Sequence, residues 1–257
     1  GAILKPLSSE TVWRIEEITR EEDLSKIYLM QLNFFQQEGV TIRGSNYFQQ
    51  DLWINENKQE LSFRFRYTQR FSMNEFNTGV EKGYNRERSL RIRFRMVKEL
   101  SNQTDFVNLT DNVTAPETST RSRMVTDNNL TSDFSYRPER NIEVGFKFKV
   151  GKSEDNLPET PTVIDLNSQV IRFNLSFAGT GRLRIEAERT ELNASTTENF
   201  IPFEILGGNQ LGKNYYWRLN FDYRLASFLQ TTISYDGRAQ GGGRVIHTAR
   251  AEARAYF

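Results

Sequence analysis

The sequence predicts an antiparallel, up-and-down transmembrane β-barrel of about 10–12 strands, either complete in this chain or the C-terminal part of a larger barrel. Three observations predict it. Apolar and polar residues alternate with a period of two in segment after segment, which marks strands whose two faces meet different surroundings. From Leu130 onward short and long connections alternate, as the two rims of a spanning barrel require. Arg crowds one face of the strands, and that face must meet water, because an Arg in lipid at the bilayer midplane costs about 2–4 kcal/mol.

The elements follow in chain order. Val12 to Ile18, Ile27 to Phe35 and Asn46 to Ile54 read as strands. The Glu-rich piece from Glu16 to Asp23 reads as an extra strand, a short helix or a plug segment, so residues 1–25 stay open within a single domain of 1–257. Next, Leu61, Phe63, Phe65 and Tyr67 oppose Ser62, Arg64, Arg66, Thr68 and Arg70, and Leu90, Ile92, Phe94 and Met96 oppose Arg91, Arg93 and Arg95. Leu130 to Tyr136 is weaker. Ile142, Val144, Phe146 and Phe148 then oppose Glu143, Lys147 and Lys149, and Ile171, Phe173, Leu175 and Phe177 oppose Arg172, Asn174 and Ser176. Leu183, Ile185 and Ala187 oppose Arg182, Arg184, Glu186 and Glu188, while Tyr215, Trp217, Leu219, Phe221 and Tyr223 oppose Arg218, Asn220, Asp222 and Arg224. Leu229 to Tyr235 and Val245 to Phe257 complete the series, the last with Arg250 and Arg254 on its polar side.

Tight turns are expected at 138–141, 178–181 and 225–227, long loops at 151–167 and 191–213, and a Gly-rich hairpin tip at 236–244. The tight side would be periplasmic and the long side extracellular. Two hairpins, Phe134 to Ile142 and Phe221 to Leu229, share a Phe-x-Tyr-Arg entry, one turn solution used twice. Upstream, 99–129 reads as a long loop, and 72–88 should then be short but is not: either a strand extends into it or the N-terminal half has another topology. On the tight side the descending strands end on Tyr136, Phe177, Tyr223 and Phe257, the level at which membrane barrels carry aromatic girdles.

The final strand ends on Tyr256 and Phe257 after Val245, His247, Ala249, Ala251, Ala253 and Ala255 on one face. This resembles the C-terminal β-signal of bacterial outer-membrane β-barrel proteins, in which a terminal aromatic closes the last strand. The resemblance covers about a dozen residues. It departs from the family in having Ala253 and Ala255 where bulky apolar residues are usual, and Glu252 at the usual Gly position. It implies the outer membrane of a Gram-negative bacterium as location. Outer-membrane lipids and the barrel insertion machinery would be partners, with Tyr256 and Phe257 as the assembly signal, and other envelope proteins are further candidates.

Composition narrows the classes. Lys+Arg 34 against Asp+Glu 33 leaves a net charge of +1, too small a field to draw nucleic acid. Cysteine is absent, which excludes disulfides and thiolate metal sites. Mean hydropathy is −0.64 and no stretch reaches the ~20 apolar residues of a spanning helix. Six Asn-x-Ser/Thr sequons (Asn102, Asn108, Asn112, Asn129, Asn174, Asn193) are chance in so Asn- and Thr-rich a chain. The chain opens Gly1-Ala2 without initiator Met or signal peptide, as a mature, trimmed or engineered form would.

No catalytic constellation emerges. His247 is the single histidine and falls on the apolar phase of the last strand, a rim residue. Glu21-Glu22-Asp23 and Glu154-Asp155 lack Ca²⁺-loop spacing, and Gly241-Gly242-Gly243 lacks the Lys-Ser/Thr of a phosphate loop. The basic residues Arg64, Arg66, Arg91, Arg93, Arg95, Arg172, Arg182, Arg184, Arg218, Arg250 and Arg254 are expected to face the lumen and pair with acids such as Glu186, Glu188, Asp222 and Glu252. The expected function is therefore non-enzymatic, without cofactor: an envelope anchor, scaffold or subunit of a larger outer-membrane assembly. A narrow anion channel lined by Arg and a soluble β-sandwich binding module are the alternatives.

Overall fold

A computed structural model describes residues 7–19, 41–58, 60–116, 122–158, 161–177, 179–195, 201 and 203–255. The strands are β1 (Leu7–Thr19), β2 (Thr41–Ile54), β3 (Leu61–Phe76), β4 (Gly79–Val97), β5 (Leu100–Thr114) and β6 (Arg123–Glu139). They continue as β7 (Ile142–Asp155), β8 (Thr162–Phe177), β9 (Gly181–Ala194), β10 (Gly212–Ala226), β11 (Leu229–Gln240) and β12 (Ile246–Ala255). A single helical turn, α1 (Phe203–Leu206), lies between β9 and β10. All twelve strands form one antiparallel sheet in sequence order. A β-sandwich needs a second sheet, and among the described residues there is none.

The connections confirm the two-rim pattern and correct its details. On one rim are 55–60, 98–99, 140–141, 178–180 and 227–228; on the other are 77–78, 115–122, 156–161, 195–211 and 241–245. The strands run well past the apolar alternation on the second rim. Much of 151–167 is therefore strand, β7 reaching Asp155 and β8 starting at Thr162. The expected long loop at 99–129 contains a whole strand, β5, and this missing strand shifted the reading upstream by one crossing. Residues 72–88 are the outer ends of β3 and β4 around a turn at 77–78 on the long-loop rim. Of the sequence-predicted strands, Ile27 to Phe35 lies outside the described residues, as do 20–23 of the Glu-rich piece, whereas Val12 to Ile18 falls within β1. All six sequon asparagines lie in strands, with Asn102 buried.

The two similar hairpins share a device. The β6–β7 and β10–β11 ladders each shift register before a two-residue turn, between Tyr136 and Glu139 and between Arg224 and Ala226. The β4–β5 hairpin does the same between Arg95 and Val97. A bulge adds twist just where the chain must reverse. On the opposite rim, Gly241 (φ 54°) and Gly242 (φ 77°) supply the left-handed conformations of the β11–β12 turn.

The sheet is inverted relative to a water-soluble protein. Residues such as Ile171 (58% exposed), Phe106 (44%), Phe146 (43%) and Phe65 (41%) stand on the apolar face in the open. The buried set is instead dominated by polar residues, among them Asp51, Thr162, Thr190 and Asn214. Leaving so many large apolar side chains in water would forfeit roughly 1.5–3 kcal/mol apiece, which an apolar solvent removes.

Cross-strand partners share a face, so the register fixes the belt. Successive direct neighbours Tyr136, Val144, Phe173, Ile185, Leu219 and Tyr235 form one row across β6 to β11. On this face Asn102 donates to Ser132 Oγ (2.8 Å) and accepts from Thr104 (2.9 Å). Rim aromatics also meet, Phe177 standing edge-on to Tyr223 with ring centres 6.4 Å apart across Gly181. Higher on β10, the Trp217 indole covers Gly237, where an added Cβ would come within 2.1 Å of the ring.

Candidate functional site

The polar face carries the charges. Asp51 on β2 is fully buried and accepts from two arginines of β3: Arg66 (Nε 2.8 Å, Nη2 3.1 Å) and Arg64 (Nε 3.1 Å, Nη2 3.3 Å). Gln49 adds a third donor at 2.5 Å, and Arg64 also stacks over Trp53 at 5.2 Å. The strand alternation puts Gln49, Asp51 and Trp53 on one side of β2, directly across from Arg64 and Arg66.

The other predicted arginines follow a similar rule. Arg91 pairs with Asp105 (2.5 Å), Arg172 with Asp133, Arg218 with Asp236 (2.9 Å) and more distantly Glu186 (3.9 Å), and Arg254 with Glu252 (2.7 Å). Glu186 and Glu252 are predicted partners, whereas Asp51, Asp105, Asp133 and Asp236 are not among the acids singled out in the sequence. Glu188 and Asp222 take neutral donors instead, Ser168 and Thr190 for the first, Thr232 for the second. Arg93, Arg95, Arg182, Arg184 and Arg250 lie on the same face, on β4, β9 and β12.

Above the charged zone the polar face turns apolar. Val125, Ile164 and Leu192, on β6, β8 and β9, form a buried cluster with Ile205 of α1, flanked by Leu166, Ala194, Ile201, Leu206 and Leu211. The β9–β10 loop thus folds over this face instead of projecting away. Asn214, fully buried, donates to the Gln210 carbonyl (2.7 Å) and accepts from its N–H (3.3 Å), and Tyr216 donates to Asn209 (3.0 Å). Beneath the loop lies a cavity of about 710 Å³ lined by Glu186, Glu188, Asn209, Arg218, Asp236 and Arg238, among others.

The remaining sequence candidates have structural roles. His247 Nδ1 hydrogen-bonds the Tyr235 hydroxyl (2.7 Å) within an aromatic group that includes Trp217, on the apolar face as expected. Asp155 accepts from the Met124 and Leu157 N–H groups, tying down the β7–β8 connection. Glu21 to Asp23, Tyr256 and Phe257 lie outside the described residues. Among the described residues no cluster of three metal-ligating side chains occurs, and no helix is long and apolar enough to cross a membrane.

Neither a family model nor a curated protein sequence matches this chain. Solved structures do. The siderophore receptor PirA from Acinetobacter baumannii superposes with a TM-score of 0.67 at 9% identity, over 97% of this chain and 41% of the receptor. The ferric preacinetobactin receptor BauA from Acinetobacter baumannii gives 0.52 at 11% identity, over 97% of this chain and 44% of that one. OmpT, an outer membrane protein of Vibrio cholerae, gives 0.44 at 10% identity with both chains fully covered. The fold is that of an outer-membrane β-barrel. In that fold the apolar face is the lipid face. The chain spans less than half the length of the two receptors.

Proposed function

We propose that this chain is a twelve-stranded wall segment of a larger outer-membrane barrel, its β1 and β12 edges continued by strands outside the segment, with the polar face as lumen lining. It acts as envelope anchor or scaffold, without catalysis. The carrying observation is the pair of open edges: among the described residues β1 is laddered only to β2, and β12 only to β11. Every position described on β12 is exposed. In lipid each unpaired backbone group costs several kcal/mol, so both edges need partners. The superposition on parts of two longer receptor chains supports partners beyond these twelve strands over closure on themselves.

The lumen chemistry favours a filled wall over an anion pore. Arg64, Arg66, Arg91, Arg172, Arg218 and Arg254 each engage a carboxylate, whereas anion passage draws on rings of available positive charge. The loop over β6, β8 and β9 narrows the lumen further.

Cysteine pairs decide between closure and continuation, because a disulfide forms only where Cα atoms lie within about 7 Å. In the intact outer-membrane protein, Thr232→Cys with Glu252→Cys, direct β11–β12 neighbours, should cross-link. Cysteines at Glu10, Thr11 or Val12 paired with cysteines at Thr248, Arg250 or Glu252 should not. A β1–β12 cross-link would make the chain a complete twelve-stranded barrel.

A further inference from the structure

On the lipid face, a groove of about 600 Å³ crosses β3 to β7 at the upper border of the apolar belt. Its floor is one row of direct cross-strand neighbours, Phe65, Leu90, Phe106, Leu130 and Val150. The next row toward the long loops is Arg88, Asn108, Asn128 and Lys152. Apolar floor and polar wall meet along a line, with a cation at each end of the wall.

Arg88 and Lys152 are both exposed, and neither forms an ion pair among the described residues. This sets them apart from Arg64, Arg66, Arg91, Arg172, Arg218 and Arg254 of the opposite face, each of which engages a carboxylate. Asp165 is the cross-strand neighbour of Lys152, and Glu154 lies two residues further along β7. The amide of Asn108 donates to Asn128 (2.8 Å), spanning the middle of the wall. Above Arg88, Arg86 reaches Thr110 (3.3 Å) with Nη2, while its buried Nε has no hydrogen-bond acceptor. Three strand spacings separate Arg88 from Lys152, about 14 Å.

We propose that this groove binds a phosphorylated lipid of the outer leaflet, an acyl chain lying on the Phe65–Val150 row and phosphate oxygens meeting Arg88 and Lys152. Guanidinium and ammonium groups at the level where hydrocarbon gives way to headgroup suit that chemistry. The assignment rests on the orientation in which the long-loop rim faces outward.

The test is native mass spectrometry of the intact protein, refolded in neutral detergent, with bisphosphorylated lipid A and with the same lipid stripped of its phosphates. The wild type should retain one lipid A. Arg88→Ser combined with Lys152→Ser should lower retention at least tenfold, to the level of the phosphate-free lipid on the wild type. Asn108→Trp fills the groove without removing a charge, should have a similar effect, and decides the matter if the double variant fails to fold. Equal retention by the folded variants, equal retention of the phosphate-free lipid, or a dimer that covers the face would overturn the proposal. In each of those results the protein is still folded, so the wall reading is judged separately, by its edge cross-links.

Discussion

Leu219→Arg should unfold the sheet far more readily than Asn220→Arg. Leu219 sits mid-strand in the apolar row between Ile185 and Tyr235, so a guanidinium there enters lipid at a cost of about 2–4 kcal/mol. That is a large share of a stability of about 5–15 kcal/mol. Asn220, one residue on, points to the polar face between Arg184 and Ser234. A new Arg beside Arg184 adds like-charge repulsion of about 0.2–1 kcal/mol, the scale of a cross-strand pair. Urea midpoints after refolding into lipid vesicles give the comparison, and equal losses would mean that the two faces are not lipid and water.

Asp51→Asn should be the most destabilising change on the polar face. One carboxylate, itself 1% exposed, holds two guanidinium groups whose side chains are 24% and 32% exposed. Breaking a buried pair from one side costs about 3–5 kcal/mol; with partly solvated arginines the loss here should be about 2–3 kcal/mol. Removing one of the stranded charges should then help, so Asp51→Asn with Arg64→Met should be more stable than Asp51→Asn alone in the same urea assay. If the second change makes matters worse, Arg64 contributes through packing on Trp53 and not through its charge.

What was legible in the sequence is what lipid writes into it. Period-two alternation is strong where one face meets hydrocarbon, as in Phe221, Leu219 and Trp217 on β10 or Leu175, Phe173 and Ile171 on β8. On β7 above that belt both faces are polar, so Lys152, Ser153, Glu154 and Asp155 read as loop although they extend the strand. β5 failed for the same reason: Asn102, Thr104, Asn108, Thr110 and Asn112 occupy its lipid-face phase, and only Phe106 and Leu100 mark it as apolar.

The site was half visible. Arg on the polar phase is readable from alternation alone, but the choice of Asp51, Asp105, Asp133 and Asp236 as partners depends on register between strands. The folded-in loop did leave a signal. On β8 the apolar phase switches from Ile171, Phe173 and Leu175 to Ile164 and Leu166, and on β9 from Leu183 and Ile185 to Leu192 and Ala194. A phase switch at one height on neighbouring strands marks the place where the inner face acquires its own apolar cover, here Ile205 of α1.

The most direct measurement of the central claim is a nitroxide scan of residues 215–223 in the intact protein reconstituted in lipid vesicles. Accessibility to oxygen, which concentrates in hydrocarbon, should peak at 217, 219 and 221 and fall at 218, 220 and 222, where a water-soluble nickel chelate or neighbouring side chains should dominate instead. A profile without period two, or one in which the nickel reagent reaches 217, 219 and 221 as well as it reaches the residues between them, would contradict a membrane-spanning wall.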